Sequence, residues 1–208
     1  MYRNSFQIDH LMIGAADLAE GRRWLSEKMG AAPGSGGRHP GQGTVNALLG
    51  LSQDCYLEVI APDPDQSKPR GLAQALEALS EPKLLTFAVR CAGFSHLVAL
   101  LDRCGFDYTR QTMSRETPSG GDLSWELLFV QGHGFGQLMP FFIDWQDSAH
   151  PCTELVPVGH LKRLSVQVDQ DVERYRTFIS RLDLPLSLEL GVPGLVAELE
   201  TSSGPIQL

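Results

Sequence analysis

The hydrophobic pattern of this chain restarts twice, and this repetition limits the possible folds more than any other feature of the sequence. Residues 8–15 form a short apolar run typical of a buried strand, and a helical pattern begins at Asp17. The same strand-then-helix order begins again near residue 84 and near residue 161, and short strand patterns follow each helix. One such unit cannot bury both faces of its small sheet. The units must therefore pair edge to edge or share a curved sheet around a cleft.

We predict an α+β fold in which repeated β-α-β-β-β units form a curved mixed sheet around an open pocket. The first unit covers residues 1–61, and the second covers residues 84–151. A linker and a short helix occupy residues 62–83 between them, and a third, compact unit covers residues 160–208. We expect these units to form one integrated protein.

Charge and composition exclude several classes of function. The 208 residues carry a formal net charge of −8 and no run of basic residues, which argues against sequence-independent binding to nucleic acid. No apolar run approaches the ~20 residues that a membrane-spanning helix needs, and the first residues lack the pattern of a signal peptide. The four cysteines are widely spaced, which indicates reduced and mostly buried thiols. We expect a cytoplasmic protein that binds a small molecule, but neither nucleic acid nor a membrane.

The strongest candidates for chemistry are two imidazoles and a carboxylate in the first unit. His10 lies in the first strand pattern, His39 in a glycine-rich turn and Glu58 in the strand pattern of residues 55–61. Strand alternation places His10 and Met12 on one face of their strand. An imidazole that faces a cavity can bind a metal or move protons near neutral pH. A buried carboxylate that lacks a cation has a raised pKa, which suits a general base.

Each candidate also has a structural interpretation. His10 can be a buried histidine held by one hydrogen bond, Glu58 can face solvent on an edge strand, and His39 can be a solvated loop residue. Asn46, which starts the next strand, can bind a ligand or cap the turn. Arg163 lies in an apolar strand and needs a partner. It can pair with Glu58 or clamp a substrate carboxylate.

Other residues around these candidates have less specific roles. Arg38 lies in a glycine-rich loop suited to close ligand approach, and it is a further candidate for orienting an anion. Four aromatic residues are most simply core, with a pocket wall as the alternative: Trp125, Phe141, Phe142 and Trp145. Four further histidines, in helix, turn or linker patterns, carry no functional hypothesis from their surroundings: His96, His133, His150 and His160.

The sequence resembles a known superfamily along nearly its whole length. The repeated pattern carries the motifs Ile8-Asp9-His10, Arg38-His39-Pro40-Gly41-x-Gly43-Thr44-x-Asn46, Tyr56-Leu57-Glu58, and Phe141-Phe142-Ile143-Asp144-Trp145 followed by His150-Pro151. These motifs resemble the glyoxalase/bleomycin-resistance/dioxygenase (vicinal-oxygen-chelate) superfamily, and within it the glyoxalase-like domain subgroup. The resemblance implies a curved sheet around an open-sided pocket, with ligand residues on the first and fourth strands of each unit. It also gives His150 a weak role as a motif residue.

The resemblance further implies that two units each supply metal ligands from those two strands. The first unit offers His10 and Glu58, with His39 as an additional candidate. The equivalent residues are Thr86 and Pro140 in the second unit, and Arg163 and Gln207 in the third. Of these four, Gln207 alone can coordinate a hard cation. We therefore expect either one divalent metal (Zn, Mn, Ni or Fe) or no cofactor, and we do not expect lactoylglutathione lyase activity.

Two functions from different classes remain open. The first is an enzyme that acts on a small carbonyl- or carboxylate-bearing metabolite by lyase or isomerase chemistry. His10 and Glu58 are then its acid–base pair or metal ligands, His39 assists them, and Arg38 or Arg163 orients the anion. The second is a non-catalytic protein that binds or sequesters a small molecule, as in the bleomycin-resistance branch. Members of the superfamily often dimerise, so a homodimer is a further expectation.

Overall fold

The computed structural model describes residues 6–66, 71–116, 122–169 and 172–208, whose strands form two sheets. The eight-stranded sheet has the order β2-β3-β4-β1-β5-β8-β7-β6, and the four-stranded sheet has the order β10-β9-β11-β12. The elements are β1 (Gln7–Gly14), α1 (Leu18–Met29), β2 (Gly34–His39), β3 (Thr44–Gly50), β4 (Tyr56–Pro62), α2 (Leu72–Glu77), β5 (Lys83–Arg90), α3 (Ser95–Cys104), β6 (Asp107–Glu116), β7 (Asp122–Gln131), β8 (Phe141–Asp144), β9 (Gly159–Val168), α4 (Val172–Ile179), β10 (Leu186–Leu190), β11 (Gly194–Thr201) and β12 (Gly204–Gln207). No helix in these ranges is long and apolar enough to cross a membrane.

The first two units share one topology and join into one sheet. In each unit the last strand pairs in parallel with the first, so that Met12 lies beside Glu58 and Ala88 beside Phe141. The two units meet where β1 pairs antiparallel with β5. The outermost strands, β2 and β6, contact each other because the sheet curls strongly. The predicted curved mixed sheet of repeated β-α-β-β-β units is confirmed.

The third unit repeats the order of elements but not their pairing. The strand that follows its helix, β10, pairs in parallel with β9, and the last strand, β12, pairs only with β11. In the first two units the strand after the helix instead lies at the outer edge. The predicted equivalence of Arg163 and Gln207 to His10 and Glu58 was therefore wrong. Hydrophobic periodicity predicts strands, but it does not predict which strands become neighbours.

The predicted equivalence of Pro140 to Glu58 was also wrong, by one residue. β8 begins at Phe141, and a short 3₁₀ helix at Gly136–Leu138 precedes it. Proline cannot donate a hydrogen bond to a strand ladder, which is why strands tend to begin after it. On the observed register Phe141 takes the place that Glu58 has in the first unit.

The two faces of the large sheet have separate roles. Its outer face packs on α1, α3 and the third unit, in a core that includes Leu11, Phe87 and Phe142. Phe178 on α4 contacts Phe142 edge-on, with ring centroids 6.1 Å apart. The inner face is left to line the pocket, since successive side chains of a strand point to opposite faces.

Helix α1 holds the strand that carries Glu58. Asp17 caps the helix by accepting a hydrogen bond from the backbone N–H of Glu20, and Gly30 ends it with φ 66°. The start at Asp17 follows the sequence prediction. Gly21 lets the helix approach β4 so closely that an added Cβ would lie 2.5 Å from Val59 Cγ1 and 2.8 Å from Ala15 Cβ.

We expect Gly21→Ala to destabilise the protein, although alanine is the better helix former by ~1 kcal/mol. The added methyl group must displace Val59, and overpacking of this kind costs about 1–3 kcal/mol. Chemical denaturation measures the change, with the exposed Glu27→Ala on the same helix as the control. A more stable Gly21→Ala protein would show that the helix and strand are not in close contact.

Candidate functional site

The inner face of the curled sheet encloses an open cavity of about 1350 Å³ between the first two units. Strands of the first unit contribute His10, His39, Asn46 and Glu58 to its wall. These are four of the residues that the sequence singled out. His39 was predicted to lie in the glycine-rich turn, but it is the last residue of β2. The first two units lie in the same sheet, so this chain supplies walls on both sides of the cavity.

His10 and Glu58 face each other on the floor of this pocket. The Nε2 atom of His10 lies 3.2 Å from Oε2 of Glu58, and their exposed fractions are 3% and 5%. The parallel register of β1 and β4 places them on neighbouring strands. Tyr56 stacks on the His10 ring at 4.6 Å between centroids, and Phe141 approaches its edge at 5.5 Å. The solvent-facing alternative for Glu58 is therefore wrong.

Asp9 holds His10 from the side away from Glu58. The pairing of β1 with β5 shifts between Ile8 and His10, so Asp9 lies at a β-bulge, a feature that re-aims side chains. Its Oδ1 lies 2.7 Å from His10 Nδ1. Its Oδ2 accepts from Trp145 Nε1 at 3.0 Å and lies 2.9 Å from Nε2 of His150. This fully buried carboxylate therefore fixes the ring orientation of His10 and directs Nε2 towards Glu58.

Asn46 holds the other end of the pair. Its Nδ2 donates to Oε1 of Glu58 at 2.5 Å and lies 3.4 Å from His39 Nε2, while its Oδ1 accepts from the backbone N–H of Gly37 at 2.6 Å. His39 Nδ1 lies 2.8 Å from Thr44 Oγ1. Asn46 therefore has a structural role, since it holds the backbone of β2 and orients the carboxylate. That it also binds a ligand stays a prediction.

The charges of these three buried groups depend on each other. Burial by itself lowers the pKa of His10, but the hydrogen bonds to Asp9 and Glu58 outweigh it and raise that pKa to about 9. Burial by itself would raise the pKa of Glu58, as expected for a carboxylate without a cation; the His10 imidazolium reverses the direction and lowers it. The pKa of Asp9 is likewise lowered by His10 and His150 against the effect of burial.

These shifts have a definite sign for stability. The folded-state pKa of His10 is raised, so its contribution is complete below the unfolded value of ~6.5 and is lost as the pH rises through about 9. The pKa values of Asp9 and Glu58 are lowered, so their contribution is present above their unfolded values near ~4 and is lost in stronger acid.

Arg38, a candidate for orienting an anion, is paired with acidic side chains. Its guanidinium donates to Asp63 at 2.8 Å and also pairs with Asp65, and the residue is not part of the pocket wall. Gln66 joins the loop after β4 to the turn between β2 and β3. Its Oε1 accepts from the backbone N–H groups of Gly41 and Gly43 at 3.1 and 3.2 Å, and its Nε2 donates to the carbonyl of His39 at 3.2 Å. Arg38 and Gln66 therefore shape the mouth of the pocket.

Arg163 and Gln207 lie in the four-stranded sheet, outside the pocket. Arg163 Nη2 donates to Oε1 of Glu198 at 2.5 Å, across the β9–β11 pair. The predicted pairing of Arg163 with Glu58 was wrong, because β9 belongs to a different sheet from β4.

The donor set does not fit the four-ligand metal centre that the family resemblance implies. His10 Nε2 and Glu58 Oε2 converge, but the amide of Asn46 stands between Glu58 and His39. The second unit offers Thr86 and Phe141 at the corresponding positions. In the described ranges, no three His, Cys, Asp or Glu residues gather as metal ligands. We therefore assign no chemical step to a metal.

Some residues of the site were missed by the sequence analysis. Asp9 and His150 were named only as motif residues, yet they form the buried support of His10. A carboxylate within an apolar strand must be paired, and this was the signal that could have identified Asp9. Among the four aromatics, Phe142 belongs to the main core, and Trp125 and Trp145 are buried in a second core cluster, as predicted. Trp125, Phe141 and Trp145 also line the pocket, which was the alternative. His133 also lines it, with a pKa lowered by burial.

We expect Glu58→Gln to lower the pKa of His10, because this change removes one of its two carboxylate partners while conserving size. The wild-type imidazole should remain protonated up to about pH 9. The His10 imidazole of the variant should titrate at least one pH unit lower, which corresponds to a loss of about 1 kcal/mol of interaction. NMR titration of the histidine ring resonances measures both values. His133 serves as the internal control, and an unchanged His10 pKa in the variant would contradict the ion pair.

Comparisons with known proteins agree with this geometry. A structure of a hypothetical protein from Staphylococcus aureus is 16% identical with a TM-score of 0.67, over 97% of this chain and 84% of that one. Methylmalonyl-CoA epimerase from Mycobacterium tuberculosis is 20% identical with a TM-score of 0.50, over 69% of this chain and 92% of that one. These likenesses show the fold alone. No protein of curated function matches the sequence.

The family assignment comes from the sequence model of the glyoxalase-like domain. It matches residues 8–182, which include all of the first two units and the start of the third. The matched range contains the buried residues of the pocket floor, Asp9, His10 and Glu58. The chain therefore belongs to the glyoxalase-like domain family of the vicinal-oxygen-chelate superfamily.

Proposed function

We propose that this protein is an enzyme that moves a proton on the carbon atom next to a carbonyl group of a small metabolite. The class of reaction is isomerisation, epimerisation or a lyase step. The observation that carries the proposal is the buried contact of His10 Nε2 with Glu58 Oε2, 3.2 Å apart and facing the pocket. An acid and a base within hydrogen-bond distance of one bound substrate are what such proton transfer requires.

Binding of the substrate changes the partners of both groups. Its carbonyl oxygen accepts the Nε2–H of His10 in place of Glu58. The carboxylate then loses the imidazolium hydrogen bond that lowers its pKa, which makes it a stronger base. Glu58 Oε2 removes the proton from the adjacent carbon, and His10 stabilises the negative charge that develops on the oxygen. In a 2-hydroxy ketone, Glu58 then delivers the proton to the neighbouring carbon, while His10 gives its proton to the former carbonyl oxygen and takes the proton of the adjacent hydroxyl, which completes an isomerisation. Return of the proton to the carbon it left gives exchange with solvent alone, and epimerisation needs its delivery to the opposite face of that carbon.

Asp9 and Asn46 are positioning residues in this scheme. Asp9 holds Nδ1 of His10, so that the other ring N–H points into the pocket. Asn46 holds Oε1 of Glu58 and leaves Oε2 to act as the base. Both are buried, so a bound substrate replaces water in the open part of the cavity without disturbing these supports.

We expect Glu58→Gln and His10→Gln each to reduce proton exchange at least ~10²-fold, since general acid–base catalysis contributes about 10²–10⁴. The measurement is the exchange of the carbon-bound proton in D₂O, followed by NMR for a panel of uncharged 2-hydroxy ketones and of 2-oxo acids. Arg163→Gln, in the other sheet, is the matched control and should remain within twofold of wild type. Exchange that survives both pocket substitutions would exclude this pair as the acid and base.

A second expectation concerns metal content. We expect the protein, purified without chelator, to hold well below one equivalent of Zn, Mn, Ni or Fe, because two converging side chains are too few for a closed or catalytic site. Elemental analysis measures it, with His10→Ala and Glu58→Ala as comparisons. Near-stoichiometric metal in wild type that both substitutions remove would contradict the metal-free scheme and make this pair ligands of a Lewis acid instead.

The second candidate function is non-catalytic binding of a small molecule, and the size of the cavity is the observation that favours it. A protein of this kind would bind members of the same panel without exchanging their protons. A cytoplasmic location and a homodimer also stay predictions.

A further inference from the structure

The cavity is larger than the acid–base pair alone requires. Its volume of about 1350 Å³ exceeds the ~300–1,000 Å³ that is usual for small-molecule sites. A substrate of three or four carbon atoms would contact the pocket floor and leave the remaining wall exposed to water. The chemistry of that wall therefore indicates which part of the substrate lies beyond the carbonyl group.

The wall opposite the turn is aromatic and is contributed by the second unit. Trp125, Leu127 and Phe129 alternate on the inner face of β7, while Leu128 and Val130 of the same strand belong to the outer core. Trp125 packs against Trp145 with ring centroids 5.4 Å apart, and Phe129 stacks on Phe141 at 5.7 Å. Trp125, Trp145 and Phe141 belong to a cluster separate from the main core, and Phe129 joins them through its stacking on Phe141.

The aromatic wall begins next to the acid–base pair. Phe141 contacts Phe129 on one side and the ring of His10 on the other, with 5.5 Å between the centroids of Phe141 and His10. A ligand whose carbonyl group meets His10 Nε2 therefore extends directly along Phe141 and Phe129. Flat rings bind such surfaces through offset or edge-to-face contacts.

The charges on the described part of the pocket wall disfavour an anion. Of the described residues that line the pocket, none is lysine or arginine, whereas Glu58 and Asp65 contribute carboxylates. The nearby guanidinium of Arg38 is paired with Asp63 and Asp65. The imidazolium of His10 is already balanced by Glu58 and Asp9. A phosphate or carboxylate group would lose its hydration here without a guanidinium or ammonium partner among these residues.

We propose that the substrate is an uncharged aromatic carbonyl compound, with its carbonyl group at His10 and Glu58 and its ring on the wall formed by Trp125, Phe129 and Phe141. This inference rests on the proposed function for the position of the carbonyl group. The inference adds two properties of the substrate, an aromatic ring and the absence of charge. The acid–base pair by itself requires neither of them.

The test uses three probes that differ in one property each. 2-Hydroxyacetophenone has the ring and no charge, hydroxyacetone has the same hydroxyketone without the ring, and phenylglyoxylate has the ring with a carboxylate. Isothermal titration calorimetry on the wild-type protein measures the dissociation constants. We expect 2-hydroxyacetophenone to bind at least tenfold more tightly than either of the other two.

Substitutions in the wall locate the ring. Phe129→Leu and Trp125→Leu should each weaken the binding of 2-hydroxyacetophenone by about threefold to tenfold, the range of aromatic contacts, and leave hydroxyacetone unchanged. Trp24→Leu, on α1 outside the pocket, is the matched control and should change neither. Phe129 is half-buried, so its variant tests the wall if Trp125→Leu does not fold.

The outcomes separate this inference from the proposed function. Equal or tighter binding of hydroxyacetone or phenylglyoxylate overturns the substrate class, even if proton exchange is observed. Loss of affinity in Trp24→Leu alone also overturns it. The expected order of affinities together with no exchange of the carbon-bound proton supports the substrate class and rejects the enzymatic proposal.

Discussion

The pairing of the His10 imidazolium with the carboxylates of Asp9 and Glu58 is the interaction on which the rest of the site depends. Burying one ionised group without a partner is very unfavourable, and here three are buried because each stabilises the charged form of its neighbour. The arrangement requires that β1 and β4 be adjacent and that β1 be bulged at Asp9. The strand pairing of the first unit provides the first condition, since it brings the last strand of that unit beside the first.

Sequence patterns predicted those parts of the structure that depend on local periodicity. Alternation and family motifs predicted the first two units and the placing of His10, Glu58, His39 and Asn46 in one pocket. The helical pattern predicted the start of α1 at Asp17. Asp9 was not recognised as the support of His10, because a bulge breaks the alternation on which the prediction relied. Arg163 and Gln207 were misplaced because strand neighbours in the third unit are decided by long-range packing.

The two halves of the pocket have the same topology and different chemistry. In the first unit the inward positions of the first and last strands hold an imidazole and a carboxylate, whereas in the second they hold Thr86 and Phe141. A backbone repeat fixes where side chains point but not what they are. One half can therefore specialise in polar chemistry and the other in apolar contacts, since the sheet is stabilised mainly by its outer core.

Gln66 shows how a residue without chemistry of its own can control the site. Its amide group makes four hydrogen bonds, to Gly41, Gly43, His39 and Asp63, and so fastens the tip of one hairpin to a loop more than twenty residues away. Three of these bonds cross from the loop to the hairpin, so a displacement of the tip would have to displace the loop or break them. A substitution at Gln66 can therefore change the width of the pocket opening, and with it the size of ligand that enters, while His10 and Glu58 stay the same.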